Sequence, residues 1–366
     1  MTITSVPEHI TVLGAGILGA AAAHHLSRRG ARVTVVDAQA PGYRSTTASF
    51  ACVNGSAKIE PALAALNDRG VAEYHDISAA LGDAAVRFTG QHFVATDPDS
   101  LRVAEQRVNA ARARGYGGEL VSGAAFRERE PRLRLDTAAF AVAWFHADGW
   151  ADPDAIRRHF LTGLQVQRRR ATSITPTTSG RVRIDFDDGD SVDTDRVVNA
   201  TGAGVADIRI PAARAARGTA SSGFVVSVDT PVDLVSTVIR TPRLGIRPDG
   251  PNRALLHSHD VDGMITRGEA TTHTAADVLV DRARRMFPDT GDIEIRRIAV
   301  GPRPTPPDGA PSVGARADVA RYYELSAHSG VTLAPLLGRL LAEEIVTGTT
   351  DPLLAPFRPD RFREAL

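Results

Sequence analysis

Cysteine is almost absent from this 366-residue chain: Cys52 stands alone, which excludes an intramolecular disulfide and any cysteine-built metal cluster. Lysine is as scarce, with Lys58 the single example among 43 basic residues, so arginine carries nearly all of the positive charge. Acidic residues also number 43, and no run of like charge is long enough to suggest a nucleic-acid or membrane-surface partner. The short run Arg168, Arg169 and Arg170 reads as a solvated turn or strand edge. No segment reaches the roughly 18 to 20 uninterrupted apolar residues of a membrane span. The apolar stretch from Ile10 is broken by Gly14, Gly16 and Gly19, unlike a secretory leader, so a cytoplasmic protein is expected. No histidine pair has a spacing that argues for a metal, and none is expected.

What is present begins with Ile10 to Leu13, a short apolar run that ends in a glycine turn. Ile17 to Arg29 is alanine-rich, with Leu18, Ala21, Ala22 and Leu26 on one helical stripe, and Gly30 ends it. Ala31 to Val36 then reads as a second buried strand finishing at Asp37, which completes a β-α-β unit. The turn itself is Gly14-Ala15-Gly16-Ile17-Leu18-Gly19. Its first glycine permits the tight bend, its second lets backbone approach a pyrophosphate, and its third lets helix and strand pack closely. Free N–H groups and the helix dipole then face the anion. Asp37, eighteen residues after Gly19, stands where a carboxylate accepts hydrogen bonds from a ribose hydroxyl. This constellation serves NAD and FAD alike.

A chain of this length exceeds one ordinary core, so two lobes are expected. Pro61 to Leu81 and Leu101 to Arg114 have helical spacing. Arg181 to Phe186 and Ser191 to Asp195 read as a hairpin, and Arg196 to Ala200 as a strand entering Thr201-Gly202-Ala203-Gly204. Alternation in Phe224 to Val228 and Arg253 to His257 predicts a mostly antiparallel sheet over about 216–298, with one helix from Ala275 to Phe287. A last apolar helix is predicted over Pro335 to Thr347.

Val197 to Gly204 resembles the returning strand and Ala-Thr-Gly turn of two-dinucleotide-fold flavoproteins, which points to FAD. Gly301-Pro302-Arg303-Pro304, then Pro307 to Gly314 and His328 to Pro335, resemble the C-terminal signature of the D-amino acid oxidase (DAO) family, which includes glycine oxidase, sarcosine oxidase and D-amino acid dehydrogenases. Ala147 to Pro153 is similar to that family's mid-chain turn, and Tyr43 to Lys58 to its flavin-covering loop. The resemblance implies an α/β protein: a discontinuous Rossmann-like FAD lobe from 1–80, 140–215 and 299–366, and an inserted, mainly antiparallel β substrate lobe from 81–139 and 216–298, with the site expected between them. It implies an enzyme that oxidises the C–N bond of an amino acid or secondary amine. Hydride leaves the carbon beside nitrogen for flavin N5, and water hydrolyses the resulting imine. FAD is expected without a covalent link, since the C-terminal region has no cysteine and the Tyr43 to Lys58 loop no histidine.

By the same resemblance Arg303 is the clamp for a substrate carboxylate, a role that suits a planar guanidinium. Arg247 is a second candidate, with structural use at least as well supported. Lys58 is weighed between a solvent-facing side chain and one that helps oxygen react. Cofactor contacts are expected from Gly14, Gly16, Ile17, Leu18, Gly19, Asp37, Ala38, Arg44, Ser45, Thr46, Ser49, Thr201, Gly202, Gly301, Arg303 and Ser329, and from Gly330, Val331 and Thr332 ahead of the last helix. His257, His259, His328, Tyr322 and Tyr323 read first as packed residues. The stretch Phe160 to Ile174 is shorter and richer in arginine than the family's passage beside the adenine, and leaves that contact unassigned. Oxygen or another carrier takes the electrons. Two other readings stay open: a tailoring oxidase of a larger or carrier-bound amine, and a non-catalytic flavin-binding subunit or sensor.

Overall fold

The computed structural model describes residues 7–40, 42, 44–135, 141–210, 218 and 221–365; Tyr43, the start of the flavin-covering loop, lies outside them. The chain divides into two compact units.

The first unit combines residues 1–47, 153–220 and 302–366. Its six-stranded sheet runs Ser312–Ala315, Tyr322–Ser326, Arg196–Asn199, His9–Leu13, Arg32–Asp37 and Val166–Arg168. All neighbours pair in parallel except the first two. Such a sheet needs cover, and the helix Ile17–Arg28 supplies it with eight buried residues, four of them consecutive alanines. Alanine here allows very close packing. A methyl group built on Gly338 would sit 2.7 Å from Ala21, so the helix Gly330–Thr347 lies nearly backbone to backbone on the first helix. This helix starts at Gly330, five residues before the expected Pro335. Proline is tolerated at the sixth position because it forfeits only one backbone bond, while Val331 to Leu337 are all buried. The run at Arg168 is a strand edge and turn: Arg169 pairs with Asp188 at 2.7 Å and stacks on Phe186.

The second unit combines residues 48–152 and 221–301. Its eight-stranded sheet runs Glu294–Pro302, Ser222–Asp229, Arg253–His257, Gly245–Pro248, Val238–Arg240, Gln91–Ala95, Ala141–Phe145 and Glu119–Val121. The inner pair Val238–Arg240 and Gln91–Ala95 is parallel; the other registered pairs are antiparallel. One face packs Phe224, Val226, Ile239, Ile246 and Leu256 against the helix Thr272–Met286. A second helix, His259–Thr266, lies in the stretch where one was expected; its short length and two aspartates hid it from hydrophobic spacing.

These units shift the expected lobe boundaries. Residues 48–80, 140–152 and 299–301 belong to the second unit rather than with the glycine turn. The physical reason is strand pairing: Cys52–Val53 and Val86–Arg87 both flank Gly149–Ala151 in a small antiparallel sheet, and Ala141–Phe145 joins the eight-stranded one.

Candidate functional site

The glycine turn closes on backbone that side chains would displace. Gly14 has φ +102°, and a methyl group there would lie 2.4 Å from the Ala200 carbonyl oxygen. One on Gly19 would lie 2.0 Å from the Gly14 carbonyl oxygen, so both positions admit only glycine. Asp37 fastens the turn from the next strand: its Oδ2 accepts the Ala15 N–H at 2.7 Å and its Oδ1 the Gln39 N–H at 2.9 Å. Buried Thr46 reaches the helix start, where its Oγ1 accepts the Ile17 N–H at 3.1 Å.

Two helix N-termini adjoin here. A methyl group built on Gly330, the first residue of its helix, would touch Leu18 at 3.6 Å and Ile17 at 4.0 Å, in the first turn of the other. Neither helix is closed by the side chain of its own N-cap residue, Gly16 or Ser329, and neither carries an acidic residue in its first turn. Two positive dipole ends side by side are a receptor for an extended anion. Thr201 and Gly202 stand on the same edge, at the carboxyl end of Arg196–Asn199. Gly202 has φ +64°, and a methyl group built on it would touch Pro304 at 3.6 Å, while Ser45 Oγ donates to the Pro302 carbonyl. Arg303 lies between those prolines and is half-buried. Arg44 is exposed beside Gly204, and Ala38 is half-buried after Asp37. A glycine cradle, a carboxylate at the end of the second strand and paired helix starts fit a dinucleotide diphosphate.

A match to the family described as FAD dependent oxidoreductase (DAO) covers residues 9–344. The chain belongs to that family. Its cofactor is FAD. The sequence is 23% identical over 370 residues to an opine oxidase component from Rhizobium meliloti, covering 96% of this chain and 97% of that one. In fold it is similar to glycine oxidase from Geobacillus kaustophilus, with TM-score 0.84, 21% identity and coverage of 97% and 99% of the two chains. It is similar too to iminodiacetate oxidase from Chelativorans sp. BNC1, with TM-score 0.80, 20% identity and coverage of 96% and 98%. The expected DAO-family fold, a Rossmann-like lobe plus a second sheet lobe, is the one observed.

The remaining expected site residues divide between the units. Ser49 serves its own turn in the second, with Oγ accepting the Ala51 N–H at 3.0 Å, and Gly301 is buried in the strand Glu294–Pro302. Val331 and Thr332, in the first unit, fill the first turn of the Gly330 helix and are buried. Arg247 is 2% exposed; Nε donates to the Phe50 carbonyl at 2.7 Å, Nη1 to that of Pro248 at 2.6 Å, and the group lies 4.6 Å over the Trp150 ring. Lys58 is half-buried rather than solvent-facing, and burial followed by the charge of Arg107 holds its ammonium below the usual lysine range.

Asp148, in the mid-chain turn, is fully buried. Burial pushes its carboxyl up to about 6 against hydrogen bonds from Ser56, Tyr116 and Gly55, and Gln91 Nε2 donates as well, at 3.2 Å. His257, His259 and Asp262 bring ligand-type atoms within 4.8 Å of one another, but His257 already uses both ring nitrogens, Nδ1 toward Arg240 and Nε2 toward Asp262. Sequence reasoning passed over Arg107 and Arg240. Arg107 does leave a signal, since it falls within the stripe Ala104, Val108 and Ala111 that faces inward on its helix.

Proposed function

We propose that this enzyme oxidises the C–N bond of an amino acid or secondary amine that carries a carboxylate, with Arg303 as the carboxylate anchor. The observation that supports the reading is that the prolines on either side of Arg303 meet residues beside the glycine turn: Pro302 accepts from Ser45, next to the Thr46 that bonds Ile17, and Pro304 lies against Gly202. Relatives point the same way: glycine and iminodiacetate, the compounds named in two of the similar structures, are both amines with carboxylates. Bound FAD supplies the hydride acceptor, and the hard electronic step is its own.

The chain supplies position and charge. Gly14, Gly16, Gly19, Thr46 and the first turn of Ile17–Arg28 hold the diphosphate, and Asp37 the adenosine ribose. The start of the Gly330 helix would stabilise negative charge on the bound cofactor, by the same dipole that receives an anion. Arg303 can grip a carboxylate at two points, which orients the neighbouring C–H bond. The chain would have to bind the amine without its extra proton, since the nitrogen lone pair is needed to form a C=N bond. Water then hydrolyses the imine. No side chain has to act as a base beyond that binding choice. The cofactor is held without a covalent link: Cys52 offers its thiol to Gln91 Oε1, and burial raises it away from the reactive thiolate. Arg247 we assign to holding the Phe50 loop.

The test is spectroscopic. Purified protein should show flavin absorbance, and without oxygen a carboxylate-bearing amine should bleach it. Folded, colourless protein that refuses FAD would overturn the assignment of the glycine cradle, and flavin that no amine reduces would overturn the reaction.

A further inference from the structure

Within the first unit a line of buried polar side chains leads to the turn at Thr201. Asn199, the last residue of the strand Arg196–Asn199, is fully buried, yet every hydrogen-bonding position of its amide is used. Its Oδ1 accepts from the Thr201 N–H at 3.3 Å and from the Thr201 hydroxyl at 2.7 Å. Its Nδ2 donates to the Val205 carbonyl at 3.2 Å and to the Tyr322 hydroxyl at 3.0 Å. One side chain thereby ties both ends of the short 3-10 helix Gly202–Gly204 back to the strand. That turn adjoins the glycine cradle, since a methyl group built on Gly14 would lie 3.1 Å from Thr201 Cα.

The direction of each bond is determined. A backbone N–H only donates and a carbonyl only accepts, so Thr201 and Val205 decide which end of the Asn199 amide faces which way. Tyr322, also buried, accepts from Asn199 and gives its own proton to Glu324 Oε1 at 3.4 Å. Burial, and after it the charge of Glu324, hold the Tyr322 phenol well above its ordinary range, so it keeps that proton. Glu324 Oε1 also takes Arg316 Nη1 at 3.0 Å, and Arg316 Nη2 donates to Asp318 at 2.8 Å. Buried ion pairs contribute little beyond apolar packing of the same volume, and fixing one arrangement is their better-attested use. At the far end the Thr201 proton points inward to Asn199, which leaves only lone pairs on the outer side of that hydroxyl.

We propose that Asn199 is a positioning residue for the cofactor: fixed by Arg316, Glu324 and Tyr322, it shapes the Thr201-Gly202 turn to receive FAD. The Thr201 hydroxyl is then an acceptor for a hydroxyl or N–H group of FAD and not a donor to its phosphates. The proposal rests on the FAD cradle assigned above.

The experiment titrates FAD into apoprotein and reads the change in flavin fluorescence, with the melting temperature of each apoprotein taken alongside. Tyr322→Phe, which removes one oxygen and keeps the ring, should weaken FAD about fivefold, and Asn199→Ala about tenfold or more. Thr201→Val should weaken it as well, and Thr201→Ser should bind as the natural protein does. Because Tyr322 acts through Thr201, adding Tyr322→Phe to Thr201→Val should cost less than about a further twofold. Ser312→Ala is the control: Ser312 donates to Glu324 Oε2 at 3.1 Å, off the path to Asn199, so the melting temperature should fall and FAD affinity should hold. Tyr322→Phe apoprotein that binds FAD undiminished, or losses that add in full in the double variant, would overturn the relay. Inorganic pyrophosphate, which lacks the hydroxyl and N–H groups of FAD, should bind natural and Thr201→Val apoprotein alike in competition with FAD; weaker competition in the variant would make Thr201 a phosphate ligand and overturn its acceptor role. Thr46→Val tests the cradle by itself. Affinity unchanged there but lowered in the relay variants would sink the cradle and leave the relay standing.

Discussion

The Asp37 carboxylate holds the backbone N–H of Ala15 at 2.7 Å, so a residue at the end of the second strand fixes the shape of a turn at the end of the first. Asp37→Ala therefore removes two charge-assisted hydrogen bonds, counting that from Gln39, as well as the group proposed above to hold the ribose. The apoprotein should lose about 1–3 kcal/mol in urea unfolding. FAD titration of the same variant should show weaker binding, and unchanged affinity would remove Asp37 from the cofactor site.

Gly338 admits the two helices to near contact. Gly338→Val would push its side chain into Ala21 and Ala22 and separate the starts of both helices, for a cost of about 1–3 kcal/mol as an overpacked core. The expected outcome is protein purified with less bound flavin and a lower melting temperature. Gly123→Ala is the control, because its backbone is not left-handed and a methyl group there meets only the tip of the Arg127 side chain at 3.6 Å.

Arg303→Ala should weaken a carboxylate-bearing substrate by about 2–5 kcal/mol if the pair is desolvated. Steady-state kinetics on an acid and its amide distinguishes anchoring from general damage. The acid should lose far more; identical kinetics in the variant would end the role.

Asp148 makes stability depend on pH. Its folded value of about 6 stands above the ordinary 3.8, so ionisation is harder in the folded protein. The favourable protonated state is complete below the unfolded value and is lost as pH rises through the folded one. Across that window, from about pH 4 to pH 6, folding should weaken by about 3 kcal/mol through this group. Denaturation curves of the natural protein and Asp148→Asn across the window should differ in slope, and parallel curves would count against the buried carboxyl as the cause.

The amino-terminal unit was legible because its signals are local. Glycines at fixed offsets, an alanine-rich stripe and a strand-ending aspartate lie within Ile10 to Asp37, and each encodes its own geometry. The lobe boundaries were not, since the pairing of Cys52 with Trp150 joins residues 98 apart and leaves no mark on either segment. The Gly330 helix was shortened at Pro335 by a local rule that burial outweighs. Arg107 and Arg240 escaped notice for a related reason: in a chain where arginine replaces lysine almost throughout, one arginine looks like any other until its packing, over Phe93 and over Phe50, is visible.

Assembly of the first unit sets an order of events during synthesis. His9–Leu13 finds one partner at Arg32–Asp37 but its other at Arg196–Asn199, which in turn awaits Tyr322–Ser326. A ribosome-bound chain can thus carry a finished glycine turn whose flanking strand has a bare edge until Arg196–Asn199 has been made. A grip on FAD from both dipole ends therefore waits on Gly330, far along the chain from the glycine turn.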